Sequence, residues 1–259
     1  MMFDHTLINQ YLFHPRRDSE VEKNNPKNVM IPVDDGIHIG SRFHLGDQGA
    51  PNLIFFHGNA ELVSEYDMMA NVYMKLGINF IPVDYRGYGF SDGSPSMPTL
   101  LNDAVVCLNF IRKMLNKKGY SGNMVVMGRS LGSAAVLQQV SVCPELVYGL
   151  IIESGFAYEE PLFRLLGLDP NALGFKPDNG LNHIEKIKNY TGPTFIIHAR
   201  QDHIIAFNEG EDLFSASGGK IKEKFWVAGA NHNNILHVAG HDYFMKVSEF
   251  IKSNCMNQD

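Results

Sequence analysis

The sequence predicts an α/β fold: a mostly parallel central sheet with an N-terminal antiparallel hairpin, helices on both faces and a short cap insertion. Two observations carry this. Short, near-continuous apolar runs alternate with segments whose apolar residues recur at three- and four-residue spacing, as buried parallel strands and covering helices require. At residues 124–137 an apolar run, a glycine-pinched turn and a helix-forming stretch follow without a break. The 259 residues, 44% of them hydrophobic, suffice for one such domain with a large core.

Residues 1–28 read as an irregular leader, polar over 15–28, and residues 29–259 as a single domain with a cap insertion at about 154–191. Val29–Val33 and Ile37–Leu45 form a hairpin with Asp35-Gly36 at the turn. Asn52–Phe56 is an apolar strand ending in His57-Gly58-Asn59-Ala60. Glu61–Leu76 has helical spacing, with Leu62, Tyr66, Met69 and Tyr73 on one face. Ile78–Val83 is a strand, Thr99–Lys117 a helix, Met124–Met127 a strand and Ala134–Val142 a helix. Strands follow at Leu150–Ile152, Thr194–Ile197 and Glu223–Val227, and helices at Asn208–Ser215 and Val238–Ser253. Residues 154–191 break the alternation and carry their own apolar side chains. Phe156, Tyr158 and Phe163 are the candidate substrate contacts of this cap.

Two pentapeptides match Gly-x-Ser-x-Gly: Gly89–Gly93 and Gly128–Gly132. Context separates them. Pro95 and Pro98 follow Ser91 closely and forbid a helix starting there, so Ser91 is a loop serine. Ser130 has a strand before it and a helix after it, the setting in which a sharp turn presents a nucleophilic hydroxyl.

A serine nucleophile needs a base, and the base needs an orienting acid. In parallel sheets such groups gather just beyond the carboxyl ends of strands. Asp202 follows the Thr194–Ile197 strand and His232 follows the Glu223–Val227 strand, giving the chain order Ser130, Asp202, His232. Glu153 is the rival acid, because it ends the strand after the nucleophile's. His57 shapes its loop, and His237 and His241 at i, i+4 spacing lack the carboxylate that would complete a metal site. The expected oxyanion donors are the backbone N–H of Leu131, at the start of the helix after Ser130, and that of Asn59 or Ala60. Arg129 is expected beneath the turn, paired with Asp84 or Glu153.

A net charge of −6 with no basic block argues against nucleic acid as a partner. Three widely spaced cysteines imply neither a disulfide framework nor a zinc site. The first residues show no signal-peptide pattern and no apolar run is long enough to span a bilayer, so a cytoplasmic setting is expected.

Five segments together resemble the α/β-hydrolase superfamily: His57–Ala60, Asp84–Gly89, Gly128–Gly132, His198–Asp202 and Gly229–Asn233. Within it the sequence is most similar to small-capped serine hydrolases that include protein depalmitoylases and bacterial relatives grouped with serine peptidases. The resemblance implies an α/β-hydrolase fold, a Ser130–Asp202–His232 triad and an oxyanion hole at Asn59 and Leu131. Ala199 and Ala230 depart from the glycine common near the acid and the histidine, but both are small. The lipidated, cysteine-rich N-terminus of the eukaryotic depalmitoylases is not seen here, which argues against a membrane-bound protein substrate.

The expectation is a serine hydrolase that cleaves a small-molecule ester or thioester through an acyl-enzyme, needing no cofactor and no metal. A small-peptide serine peptidase is the alternative, with Glu159 or Glu160 as the group for a peptide N-terminus. A non-catalytic ligand-binding module on the same fold is a second alternative. Oligomeric state is not legible.

Overall fold

A computed structural model describes residues 6–176 and 180–256. Residues 1–5 of the expected leader and 177–179 of the expected cap lie outside that set. The chain opens with helices α1 (Thr6–Leu12) and α2 (Glu20–Lys23), where the sequence reads as irregular. Tertiary contacts order this stretch. Leu12 and Phe13 are buried, and the fully buried Arg42 donates to Glu22 of α2 and to Asp67 of a later helix.

Strands β1 (Asn28–Asp34) and β2 (Ile37–Arg42) form the expected hairpin around Gly36, whose φ of +67° suits glycine. Then come β3 (Asn52–Phe56), a 3-10 turn at Val63–Tyr66, α3 (Asp67–Lys75), β4 (Asn79–Val83) and α4 (Met97–Lys117). Next are β5 (Met124–Arg129), α5 (Gly132–Val142), β6 (Gly149–Glu153), α6 (Glu159–Leu165) and α7 (His183–Asn189). Strand β7 (Thr194–Ala199), α8 (Phe207–Ala216), β8 (Lys222–Val227), α9 (Ile235–Ala239) and α10 (His241–Asn254) complete the chain. The expected single helix over Val238–Ser253 is two. Gly240, at φ +55° and ψ −128°, breaks it in a conformation only glycine adopts readily.

The eight strands lie in the order β1-β2-β4-β3-β5-β6-β7-β8. β1/β2 and β2/β4 are antiparallel and the remaining pairs are parallel. Along β3 the side chains alternate between two cores. Ile54 and Phe56 face the layer of α4 and α5, while Leu53 and Phe55 face α3 and α10. All five residues of β3 are buried, as a strand covered on both faces must be.

The strand order also positions the site. From β3 the chain steps to β4 on one side, then returns to lay β5 on the other. The loops leaving β3 and β5 therefore diverge and open a crevice at the carboxyl edge of the sheet. No helix among the described residues is long and apolar enough to cross a membrane.

Candidate active site

Ser130 occupies a turn that the sequence forces. Its φ is +51°, a left-handed conformation uncommon for a residue with a Cβ. The flanking glycines are steric necessities. A Cβ on Gly128 would lie 2.3 Å from the Gly132 carbonyl oxygen, and one on Gly132 would lie 2.0 Å from that of Phe56. The backbone N–H of Ser130 donates to the Glu153 carbonyl at 2.8 Å, locking the turn against β6.

The loops after β7 and β8 bring two partners to this hydroxyl. His232 Nε2 lies 3.0 Å from Ser130 Oγ, and His232 Nδ1 lies 2.8 Å from Asp202 Oδ2. Asp202 Oδ1 also accepts from the backbone N–H groups of Ile204 and Ile205. An ionised carboxylate only accepts, so Nδ1 carries the imidazole proton and Nε2 faces Ser130 as an acceptor. Burial alone would push the Asp202 carboxyl up. The His232 contact and the two N–H donors outweigh it and hold the group below its ordinary range.

On the other side of Ser130, neither the Leu131 N–H nor the Asn59 N–H finds an acceptor among the described residues. The Ala60 N–H, the other possibility in that loop, donates to the Asn59 side chain at 3.0 Å. The loop thus leaves Asn59, not Ala60, with an unengaged donor.

Similar proteins share this arrangement of chain. The family model described as "Serine aminopeptidase, S33" matches residues 49–168. Human alpha/beta hydrolase domain-containing protein 17C is 28% identical over 212 residues, covering 79% of this chain and 59% of that protein. The chain therefore spans under two thirds of the length of that relative. The Salmonella typhi uncharacterized protein YfhR is 24% identical over 224 residues, covering 80% of this chain and 74% of that one. Among solved structures, Pyrococcus furiosus esterase Pf2001 superposes with a TM-score of 0.73 at 20% identity, over 93% of this chain and 99% of that chain. Butyrivibrio proteoclasticus Est1E with bound ferulic acid gives 0.70 at 17% identity, over 87% and 98%. The chain has the α/β-hydrolase fold and is similar in sequence to members of that superfamily.

A cavity of about 200 Å³ lies over Ser130 and His232. Its apolar wall includes Leu12, Phe156, Leu162, Leu165, Leu166 and Ile204. Of the three cap residues singled out from sequence, only Phe156 lines it. Phe163 is fully buried and packs edge-on against Phe175, beneath the cap rather than in the cavity. Tyr158 is half-exposed and borders a separate groove with Glu159, Pro161 and Arg164. Helical spacing separates the two sets: Leu162, Leu165 and Leu166 share the face that Phe163 does not. Leu12 was hidden in the leader, and Ile204 in the loop behind Asp202.

Glu153 and His57 are engaged elsewhere. Arg129 Nε contacts Glu153 Oε1 at 3.1 Å, and Tyr243 donates to the other oxygen. The remaining guanidinium nitrogens of Arg129 reach Glu61 and, at 2.9 Å, the backbone carbonyl of His232. Glu61 in turn accepts from the Gly58 N–H at 2.7 Å and from the Tyr66 hydroxyl. Of the two partners expected for Arg129, Glu153 is met and Asp84 is not; Glu61 was unforeseen. One buried cation thus ties the serine turn, the Asn59 loop and the His232 loop together. Burial disfavours both charges of the Arg129–Glu61 pair, but their attraction outweighs it, raising the guanidinium and lowering the carboxyl. His57 is fully buried, with Nδ1 at 2.7 Å from the Gly58 carbonyl and Nε2 at 3.0 Å from Asp84.

Proposed function

We propose that this α/β-hydrolase is a serine hydrolase that cleaves carboxylic esters or thioesters of small apolar acyl groups. The supporting observation is the 3.0 Å contact of Ser130 Oγ with His232 Nε2, backed by Asp202 at 2.8 Å. Ser130 Oγ attacks the substrate carbonyl carbon as His232 Nε2 takes its proton. The oxyanion is held by the N–H groups of Asn59 and Leu131, each worth about 3 kcal/mol to the transition state. Collapse expels the alcohol or thiol with the proton from His232 and leaves an acyl-serine. Water, deprotonated by the same nitrogen, then releases the acid. Asp202 keeps the imidazole in the tautomer each step needs and stabilises the imidazolium.

Two observations favour an acyl substrate over a peptide. The cavity wall is largely apolar, and the cap carboxylates suited to a peptide N-terminus are occupied. Glu159 accepts from the Leu181 N–H and Glu160 pairs with Arg164 at 2.7 Å, and neither lines the cavity over Ser130. The test sets p-nitrophenyl esters and acyl thioesters against matched peptide amides. Ester and thioester turnover with a nitrophenol burst equal to the enzyme concentration is expected. Cleavage of the amides alone would replace this reading with the peptidase, and no turnover of any of them with the binding module.

A further inference from the structure

The segment ahead of β1 is stitched to the mouth of the candidate site. At the end of α1, the Leu12 side chain is buried and forms part of the apolar wall over Ser130. The chain then runs across the Asn59 loop as a strap. The Asn59 side chain clamps it: Nδ2 donates to the Leu12 carbonyl at 2.7 Å and Oδ1 accepts from the His14 N–H at 3.0 Å. Oδ1 also accepts from the Tyr88 hydroxyl at 2.7 Å and the Ala60 N–H at 3.0 Å. A carbonyl on one side and N–H or O–H donors on the other fix which end of the carboxamide is which. Further along, Arg16 donates to the Ala60 carbonyl at 2.7 Å and to Glu65 at 2.8 Å. The Asp18 N–H donates to the Gly89 carbonyl, and the Gly89 N–H to that of Arg16.

The side chain of Asn59 is therefore engaged with the strap while its own backbone N–H has no acceptor among the described residues. Ala60, directly after it, is held at φ +61°, a conformation that strains a residue with a Cβ and persists only where the surroundings impose it. The strap contacts that loop from outside through the Asn59 side chain and the Ala60 carbonyl.

We propose that residues 12–18 are a working part of the site: Leu12 sets which acyl chains the cavity accepts, and the Asn59 carboxamide, gripping the strap, positions the oxyanion donor. Leu12 is a specificity-determining residue and the Asn59 side chain a positioning group. The inference rests on the serine hydrolase reading above.

The test uses the full chain and a series of p-nitrophenyl esters with acyl groups from two to twelve carbons, so that only the acyl part varies. Leu12→Ala is expected to raise the ratio of kcat/KM for long over short esters by about threefold or more, and Leu12→Phe to lower it by a similar factor, since single methylene differences in apolar pockets discriminate on this scale. A ratio does not depend on how much of each variant is folded. Asn59→Ala keeps the backbone N–H but frees the loop. Its kcat is expected to fall about tenfold or more while KM changes by under about threefold, the pattern of an interaction made only in the transition state. Asn59→Asp, which keeps the acceptor but sets a carboxylate oxygen against the Leu12 carbonyl, should not recover that loss. An unchanged acyl-length ratio in both Leu12 variants, or a wild-type kcat in Asn59→Ala, overturns the inference while leaving an active hydrolase. A wild-type protein that hydrolyses no ester of the series overturns the reading on which it rests.

Discussion

Two histidine–aspartate pairs stand near the same edge of the sheet, and they differ in what is left for the second ring nitrogen. In His57–Asp84 both nitrogens are taken, one by the Gly58 carbonyl and one by the carboxylate, and the pair is fully buried. In His232–Asp202 the carboxylate takes only Nδ1, and Nε2 faces the Ser130 hydroxyl. The carboxylates differ as well. Asp202 Oδ1 and Oδ2 are both satisfied, by backbone N–H groups and the imidazole, and the group is held below its ordinary range against burial. Asp84 Oδ2 has no hydrogen-bond partner among the described residues and lies against Gly89, and burial pushes the group up. A paired histidine is equipped for proton transfer only when its free nitrogen meets a group that has a proton to give. The two Gly-x-Ser-x-Gly turns make the same contrast. Ser130 is partly exposed in the crevice, whereas Ser91 is buried with its hydroxyl accepting from the Gly40 N–H at 2.8 Å.

Matched substitutions should split these pairs. The largest expected effect is Ser130→Ala, which should lower kcat by about 10⁶-fold, the scale for loss of a serine nucleophile, measured by ester hydrolysis. Asp202→Asn should cost about 10⁴-fold in kcat through the wrong imidazole tautomer. Asp84→Asn should retain at least about a hundredfold more activity than that and instead lower stability by about 1–3 kcal/mol in denaturant titrations, because a buried, charge-assisted hydrogen bond is weakened. Equal losses in both variants would erase the distinction.

Arg129→Met leaves the buried Glu153 and the partly buried Glu61 without their cation. It should destabilise by about 3–5 kcal/mol in urea unfolding. At temperatures where the variant remains folded its kcat should also fall, since the His232 carbonyl loses its tether. Arg129→Lys should recover part of both.

The Asp202 shift predicts a pH dependence. Its folded-state pKa is depressed, so its contribution is present above the unfolded value of about 4 and is lost as pH falls through the folded one. Thermal melts between neutral pH and pH 3 should show a smaller acid loss in Asp202→Asn than in wild type. The smallest effect expected is Ser91→Ala, about 1 kcal/mol for one buried hydrogen bond, with kcat unchanged.

Much of this site could be read from residues because it follows from backbone rules. A strand buried on both faces is largely apolar, as Leu53–Phe56 of β3 are, and a turn with Ser130 at positive φ needs glycines on either side. Positions beyond strand ends then restricted the search for Asp202 and His232. Other features depended on long-range contacts with no local pattern. Helix α1 is held through Leu12 and the adjoining Phe13, and α2, in a polar stretch, through the distant Arg42. The Arg129–Glu61 pair joins residues far apart in sequence. The cap was legible as an apolar interruption, but only its helical phase distinguishes Leu162 and Leu165 from Phe163. Gly240 was legible in principle, as a lone glycine inside an otherwise helical run.

The proposed reactive hydroxyl is that of Ser130 and not that of Ser91. This assignment is tested most directly by treating the protein with a fluorophosphonate and locating the adduct by peptide mass mapping. One adduct per chain is expected, on Ser130, abolished by His232→Ala and unaffected by Ser91→Ala. An adduct on Ser91, or no adduct on the wild-type protein, would contradict it.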